Sequence, residues 1–355
     1  MTPHFRSTTN KPYERGREFG ATHAAKIKTG LSAYGKMWVK SAGGTFDPAP
    51  LGREALVKVA AYAPDLHAEM QGLADGSGID VALIGALNAR TEILGFLKAK
   101  QRGECSAVIH VSPDAEPPIA VQTWDWFYAF RDGWLIWEIP LADGSVTKTM
   151  TEYGIVGKSG LNTRGIGALF TILHHTDDGG RIGLPVHVAA RHALDHGADI
   201  NQAATLLAGA DVSASSSINL VSVEDGVNSA ISVELHPGGP SFVLPDDAGF
   251  IVHTNHFLAP GPAAHDTEPK AFPDTLLRRD LLRRQLGNLQ PRYPEDVLSV
   301  MTSHVGKGAS VCCHHDPALG DPDAQYQTLA TVVLDLARGD LRIHAGGPCT
   351  HPAIA

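Results

Sequence analysis

The sequence predicts an α+β protein: two stacked, mainly antiparallel sheets flanked by helices. Three observations carry this expectation. Apolar residues recur at helical spacing through most of the first hundred positions. Alternating, β-branched runs begin abruptly after Cys105, separated by turn signals such as Asp132-Gly133 and Asp143-Gly144. Helical segments then recur in pairs between further runs of strands. Strands joined by hairpins pair antiparallel, and two such sheets bury their apolar faces by stacking, with helices outside.

Residues 1–12 are polar and predict no element. Over 14–38, Phe19, Ala24, Ile27, Leu31 and Tyr34 share a helical face. A second helical segment covers 52–74, with Pro64 splitting or kinking it. A third covers 80–96, with Asp80 as N-cap. Strands are expected at 107–111, 119–124, 134–139, 146–151 and 165–172, then helices at 184–196 and 201–208. Strands return at 216–223, 230–235, 241–244 and 250–254. Helices at 274–286 and 294–301 precede a closing hairpin of 328–336 and 341–344. The glycine-rich stretch 157–167 matches neither G-x-G-x-x-G nor the G-x-x-x-x-G-K-[ST] phosphate loop, so it reads as turns and not as a nucleotide site. No linker or repeat interrupts the chain. One domain is expected, with residues 1–104 a helical layer packed on a core formed by 105–355.

Composition narrows the function. The chain has 355 residues, 43% of them hydrophobic and 19% charged, which suits a globular protein with a sizeable core. Its net charge of −9 argues against non-specific nucleic-acid binding. No run approaches the ~18 apolar residues of a spanning helix, so no membrane partner is expected. Four cysteines are too few for a disulfide framework in a chain this long, and residues 1–11 lack a signal-peptide apolar core. These features predict a reduced, cytoplasmic protein.

Cys105 opens the first strand behind a polar, glycine-bearing loop. Such a position suits a nucleophile, and equally a buried small hydrophobe. Cleavage before Cys105 would make it an N-terminal residue whose own α-amine takes the thiol proton. A hairpin would return Asp125 to its side, where the carboxylate could orient that amine or serve only as a turn or cap residue. Trp124, Trp126, Phe127 and Tyr128 lie beside it and read as pocket lining or core. Asn255, in His253-Thr254-Asn255-His256, offers a neutral amide to an oxyanion, or a turn.

The 18 histidines raise the question of a metal. His192 and His196 share a helical face, but Ala193 stands where H-E-x-x-H needs its Glu. Cys312-Cys313-His314-His315 is dense in ligand types, yet adjacent residues seldom bind one ion together. The expectation is no metal and no cofactor.

Taken together these segments resemble the acyl-coenzyme A:isopenicillin N acyltransferase family of N-terminal-nucleophile hydrolases, and more distantly penicillin V acylases and bile-salt hydrolases. The resemblance runs through seven blocks in one order: 12–16 with Phe19-Gly20, 87–92, Cys105-Ser106, Gln122 with Trp124-Asp125, 151–162, Gly183-Leu184-Pro185 with His187 and Ala214-Ser215, and 253–256. It implies an αββα sandwich and self-cleavage of the Glu104–Cys105 bond into two chains that stay associated. It further implies Cys105 as nucleophile and, through its α-amine, base. Asp125 would lie beside that amine, Asn255 in the oxyanion hole, and Ser215 would serve maturation or activity. Trp124, Trp126, Phe127, His256 and His314 are the candidate substrate contacts. Two departures stand out. Glu104 occupies a position where the family commonly has Gly, and Cys313 one where it often has an Arg that reaches the site; His314 is the candidate to supply that charge.

The reading that follows is an amidase acting on a small N-acylated amine or amino acid through a thioester. An acyltransferase is its near alternative. A metal-dependent amidohydrolase and a non-enzymatic binding protein remain as other classes.

Overall fold

The computed structural model describes residues 2–99, 105–112, 116–306, 310–321 and 325–353. Glu104, and with it the expected cleavage point, lies outside them. The N-terminal layer holds α1 (Pro12–Ala42), α2 (Ala49–Tyr62), α3 (Pro64–Ser77), α4 (Val81–Asn88) and α5 (Arg90–Phe96). The break between α2 and α3 falls at Ala63, where Pro64 can supply no N–H to continue the ladder. Asp80 caps α4, its carboxylate accepting from the Ala82 N–H at 2.9 Å. The segment expected as one helix over 80–96 bends at Ala89 into two.

Strands follow. β1 (His4–Arg6) is the chain's first element, and β2 (Ser106–His110), β3 (Ile119–Phe127), β4 (Trp134–Pro140), β5 (Val146–Glu152), β6 (Ser159–Asn162) and β7 (Ile166–Ile172) come after α5. Helices α6 (Val186–His196) and α7 (Ile200–Ala208) precede β8 (Ser216–Glu224), β9 (Val227–His236), β10 (Gly239–Val243) and β11 (Phe250–His253). Short helices α8 (Pro260–Ala263) and α9 (Glu268–Ala271) lead to α10 (Asp274–Leu286) and α11 (Pro294–Val300), and β12 (Tyr326–Asp335) and β13 (Asp340–Ala345) close the chain.

Two strands correct the sequence reading. β1 lies in the polar stretch 1–12 and pairs with β4 in parallel. Backbone pairing there needs no apolar alternation: Phe5 packs edge-on to Phe19 at 5.4 Å between ring centroids, and Arg6 reaches Glu138 on β4 at 3.3 Å. β6 lies inside the glycine-rich stretch read as turns. Gly160 is needed because a Cβ there would come within 2.1 Å of the Lys148 carbonyl oxygen on β5.

The strands form an eight-stranded sheet ordered β1-β4-β5-β6-β7-β8-β9-β10 and a five-stranded sheet ordered β11-β2-β3-β12-β13. Every pairing but β1–β4 is antiparallel. The smaller sheet alternates as a two-sided buried sheet should. Val108 and Val121 face out to Leu282, Leu286, Val297 and Met301 of α10 and α11 and the turn after them. Ala107, Ile109, Ala120 and Trp124 face the larger sheet. Between the layers, Gln122 of β3 clasps β7: its Nε2 donates to the Phe170 carbonyl, and its Oε1 accepts from the Phe170 N–H at 3.1 Å and the Ser159 hydroxyl at 2.9 Å.

In the N-terminal layer, α1 and α3 approach almost backbone to backbone through Gly16 and Gly20 on one and Gly72 and Gly76 on the other. A Cβ at Gly72 would stand 2.0 Å from the Tyr13 carbonyl oxygen, which cannot move out of its helix. Gly72→Ala is therefore expected to lower stability by about 1–3 kcal/mol or more. Urea unfolding followed by circular dichroism measures it, and an unchanged midpoint would contradict this packing.

Candidate active site

The site is built by strand register. β2 pairs with β3 so that Ser106 faces Thr123. On its other side β2 pairs with β11, with His253 opposite Ala107. The start of β2 and the ends of β3 and β11 therefore meet at one end of the five-stranded sheet. Cys105 lies in the middle, Asp125 on one flank and Asn255 on the other. The Cys105 Sγ is 3.9 Å from the Asp125 carbonyl oxygen. All three residues line one cleft.

Asn255 is held from three directions. Its N–H donates to the Thr275 hydroxyl at 2.9 Å, its Nδ2 to the Ile172 carbonyl at 2.9 Å, and its Oδ1 accepts from Arg278 Nη2 at 2.9 Å. A guanidinium can only donate and a carbonyl can only accept, so the amide orientation is fixed. One Nδ2 hydrogen goes to Ile172, and the second is left for a ligand.

Arg278 was not foreseen from sequence. On α10 it sits in a run with Arg279, Arg283 and Arg284 that reads as a solvated face. Instead its side chain is buried. Nη1 donates to the Cys105 carbonyl and to the Ser106 hydroxyl, each at 3.0 Å, while Nε reaches Asp274 at 3.3 Å. Helical spacing does distinguish it: Arg278 lies four residues after Asp274 and four before Leu282, on the stripe that continues to Leu286, whereas Arg283 and Arg284 are exposed. The positive charge expected from the C-terminal segment thus comes from α10. Cys313 is buried with its thiol toward the Tyr326 carbonyl, and His314 does not line the cleft.

A second buried cation flanks the thiol. The Lys158 Nζ pairs with Glu152 at 3.0 Å and lies 4.1 Å above the Trp124 ring centroid. Glu152 also takes Arg90 at 2.9 Å and the Tyr34 hydroxyl. Burial alone would raise the Glu152 carboxyl, but Arg90 and Lys158 outweigh it and hold it at about 2. Burial draws Lys158 down to about 8, against the pull of Glu152. Burial pushes the Cys105 thiol up to about 11, and the Asp125 charge adds to this; Lys158 and Arg278 pull it the other way. With its backbone uncut, the thiol is protonated at neutral pH.

The remaining candidates divide. Trp124 and Trp126 line the cleft, with Arg90 stacked 4.7 Å from the Trp126 centroid. Phe127 does not; it packs on Tyr326 at 4.2 Å. His256 is also off the wall. Its Nδ1 lies 3.1 Å from the Thr254 hydroxyl and 3.0 Å from that of Thr275, so it stands behind Asn255. Burial lowers it to about 3, so it stays neutral. The Ser215 hydroxyl donates to Asp178 at 2.7 Å, and it is Asp178 that reaches the cleft. Leu94, Phe170, Ile172 and Leu173 add an apolar stretch to a wall that also carries Thr91, Lys158 and His174.

Fold and cleft together define a two-sheet sandwich that presents one thiol, flanked by a carboxylate and an amide, to a partly apolar recess. The chain belongs to the acyl-coenzyme A:6-aminopenicillanic acid acyl-transferase family, whose model matches residues 114–349. It is 30% identical over 226 residues to the 40 kDa form of acyl-coenzyme A:6-aminopenicillanic-acid-acyltransferase from Emericella nidulans. That match covers 63% of this chain and 60% of the relative's length. Among solved structures, it is similar to the Caenorhabditis elegans ortholog of N-acylethanolamine-hydrolyzing acid amidase (12% identity, TM-score 0.47, 68% of this chain and 100% of that one). It is likewise similar to penicillin V acylase from Agrobacterium tumefaciens (16% identity, TM-score 0.42, 68% and 83%).

Two expectations test the electrostatics. The folded chain holds the Glu152 proton less readily than the unfolded chain does. Its contribution is whole above about pH 4.5 and is lost as the pH falls toward about 2. Glu152→Gln should lower stability at neutral pH by on the order of 3–5 kcal/mol, and it should flatten the acid limb of unfolding free energy against pH. Arg278→Leu removes a positive charge beside the thiol. The midpoint of Cys105 alkylation, followed by mass spectrometry across a pH series, should rise; a lower midpoint would contradict the assignment.

Proposed function

We propose that this protein is a self-processing cysteine amidohydrolase, cleaving the amide bond of a small N-acylated amine or amino acid through a thioester at Cys105. The observation that carries the reading is the convergence at the end of the five-stranded sheet. A thiol on the cleft wall has a carboxylate on one side and an oriented amide donor on the other. Family membership, shown over residues 114–349, supports acyl chemistry for the chain.

Maturation comes first. The Cys105 thiol adds to the Glu104 carbonyl, the peptide nitrogen leaves with a proton, and an N-to-S shift gives a thioester. Water opens it, which leaves a carboxylate on Glu104 and a free thiol and α-amine on Cys105. The two chains, 1–104 and 105–355, stay together because one apolar core runs from α1 and α3 into the sheets. In turnover the α-amine takes the thiol's proton: away from the protein the two groups titrate near about 7.7–8.0 and 8.5, a nearly balanced pair, and in the cleft Lys158 and Arg278 oppose the burial that raises the thiol. The thiolate attacks the substrate carbonyl while Asn255 and a backbone N–H hold the oxyanion. The α-ammonium, oriented by Asp125, protonates the leaving amine. Water then releases the acyl group. Leu94, Phe170, Ile172 and Leu173 suit an apolar acyl portion. A reducing, cytoplasmic setting suits a free catalytic thiol; among the described residues no helix is long and apolar enough to cross a membrane.

The same thioester could pass its acyl group to an amine instead of water, and the family's description favours that second reading. Incubation with N-acyl substrates, with and without acceptor amines, separates them: free acid alone counts against transfer.

Cys105→Ala should yield one uncut chain without activity by intact mass and turnover assay. Processing or turnover in that variant would sink the mechanism. Asn255→Ala should lower kcat by about 10²–10³-fold, the loss expected for one oxyanion donor; an unchanged kcat would remove it from the oxyanion role.

A further inference from the structure

His304, Cys312, His314 and Cys349 come together away from the cleft; none of the four lines it. Their ligand atoms all lie within 4.8 Å of one another. The His314 Nε2 is 3.2 Å from the His304 Nε2, 3.5 Å from the Cys312 Sγ and 3.3 Å from the Cys349 Sγ. An imidazole nitrogen carries one lone pair or one hydrogen, along one direction. It cannot bond three partners at once, so hydrogen bonding does not account for the convergence. A shared cation does. With Zn–N near 2.0–2.1 Å and Zn–S near 2.3 Å, a tetrahedron has N–N edges of about 3.3 Å and N–S edges of about 3.6 Å. The three observed separations match these edges to within about 0.3 Å.

We propose that these four side chains form a tetrahedral Cys2His2 site for a single zinc ion. Two thiolates balance the charge of the ion, and two neutral imidazoles complete the shell. Four protein ligands leave no open position, so the site is structural and not a source of metal-bound water. It would tie together three segments, the stretch after α11, the segment 310–315 and the turn after β13, the first two of which also meet where the Cys312 N–H donates to the Ser303 carbonyl at 3.0 Å. Gly347 makes room for it, because a Cβ there would approach the Cys312 Sγ to 2.5 Å. The backbone beside it is anchored too: Cys313 and Thr328 exchange two bonds of 2.9 Å, and Thr328 stands opposite Asp125 in register. The expectation of no metal rested on the adjacency of 312–315. The fold instead takes two alternate residues of that run and brings His304 and Cys349 to them.

Elemental analysis of the full chain, purified with reductant and without chelator, should find about one zinc per chain. Cys349→Ser and His304→Ala, both at accessible positions, should each reduce it at least tenfold, whereas His315→Ala, outside the cluster, should retain it. Replacement by cobalt should give the intense visible bands of a tetrahedral thiolate centre, lost in Cys349→Ser. Two results would overturn the proposal. One is an intact mass short by two hydrogens, with peptide mapping that joins Cys312 to Cys349. The other is reduced wild-type chain that binds neither zinc nor cobalt.

Discussion

The arrangement at the cleft depends on one buried guanidinium. Arg278 comes from α10, on the outer face of the five-stranded sheet, and reaches through to its end. It bonds the carbonyl of Cys105, the hydroxyl of Ser106 and the amide oxygen of Asn255. These groups sit on two neighbouring strands, so one planar donor fixes their relative position. A lysine could not do this, since an ammonium lacks the fixed fork. The burial of a full charge is costly. Asp274, one helical turn earlier, offsets it, and the apolar stripe of Leu282 and Leu286 keeps the helix seated.

The interior is stitched by polar groups as much as by apolar ones. Gln122 joins the two sheets near their middle. The His253 ring meets Glu234 across the layers at 2.9 Å, and that carboxylate also takes the N–H groups of Leu258 at 2.7 Å and Ala259 at 3.1 Å. On the far side Arg191 of α6 pairs with Glu69 of α3 at 3.2 Å and with Asp195 at 2.8 Å, and Glu69 also takes Arg15. Such networks add less net stability than their number suggests, but a satisfied network admits few alternative packings. The helical layer is thereby held in register with the core. An enzyme cut before Cys105 would rely on that, since no peptide bond would then join the two parts.

Much of this was legible in the sequence, and the reasons are physical. The strands after Cys105 are short β-branched runs bounded by turn signals, so their existence follows from pattern, but both faces of β2 and β3 are buried and the pattern does not say which one meets the larger sheet. Pro64 and Asp80 mark boundaries by backbone chemistry alone. β1 and β6 escaped because their residues carry no alternation: β1 is polar, and β6 is Ser159-Gly160-Leu161-Asn162. Of the site, Cys105, Asp125 and Asn255 stand at strand ends that a topology can bring together, and the structure brings them to one cleft. Lys158 could not be singled out, because burial of a charge is a property of the packed molecule; Arg278 was passed over although it shares a helical stripe with Leu282 and Leu286. Phe127 is a candidate as a neighbour of Trp124 and Asp125, whereas His256 and Ser215 come with the blocks that resemble the family. Phe127 points away from the cleft, as the side chain one residue along a strand from Trp126 must, while His256 and Ser215 stand behind Asn255 and Asp178.

The C-terminal segment is where the physical argument reaches furthest. Cys313 brings no positive charge to the thiol and does not line the cleft. That charge comes from two other elements, Arg278 on α10 and Lys158 ahead of β6, both of which draw the thiol's pKa down against burial. Cys313 turns inward to the Tyr326 carbonyl, and its neighbours Cys312 and His314 turn the other way, toward His304 and Cys349. The alternation of an extended chain makes this division natural: residues 312 and 314 share one face, and 313 occupies the other.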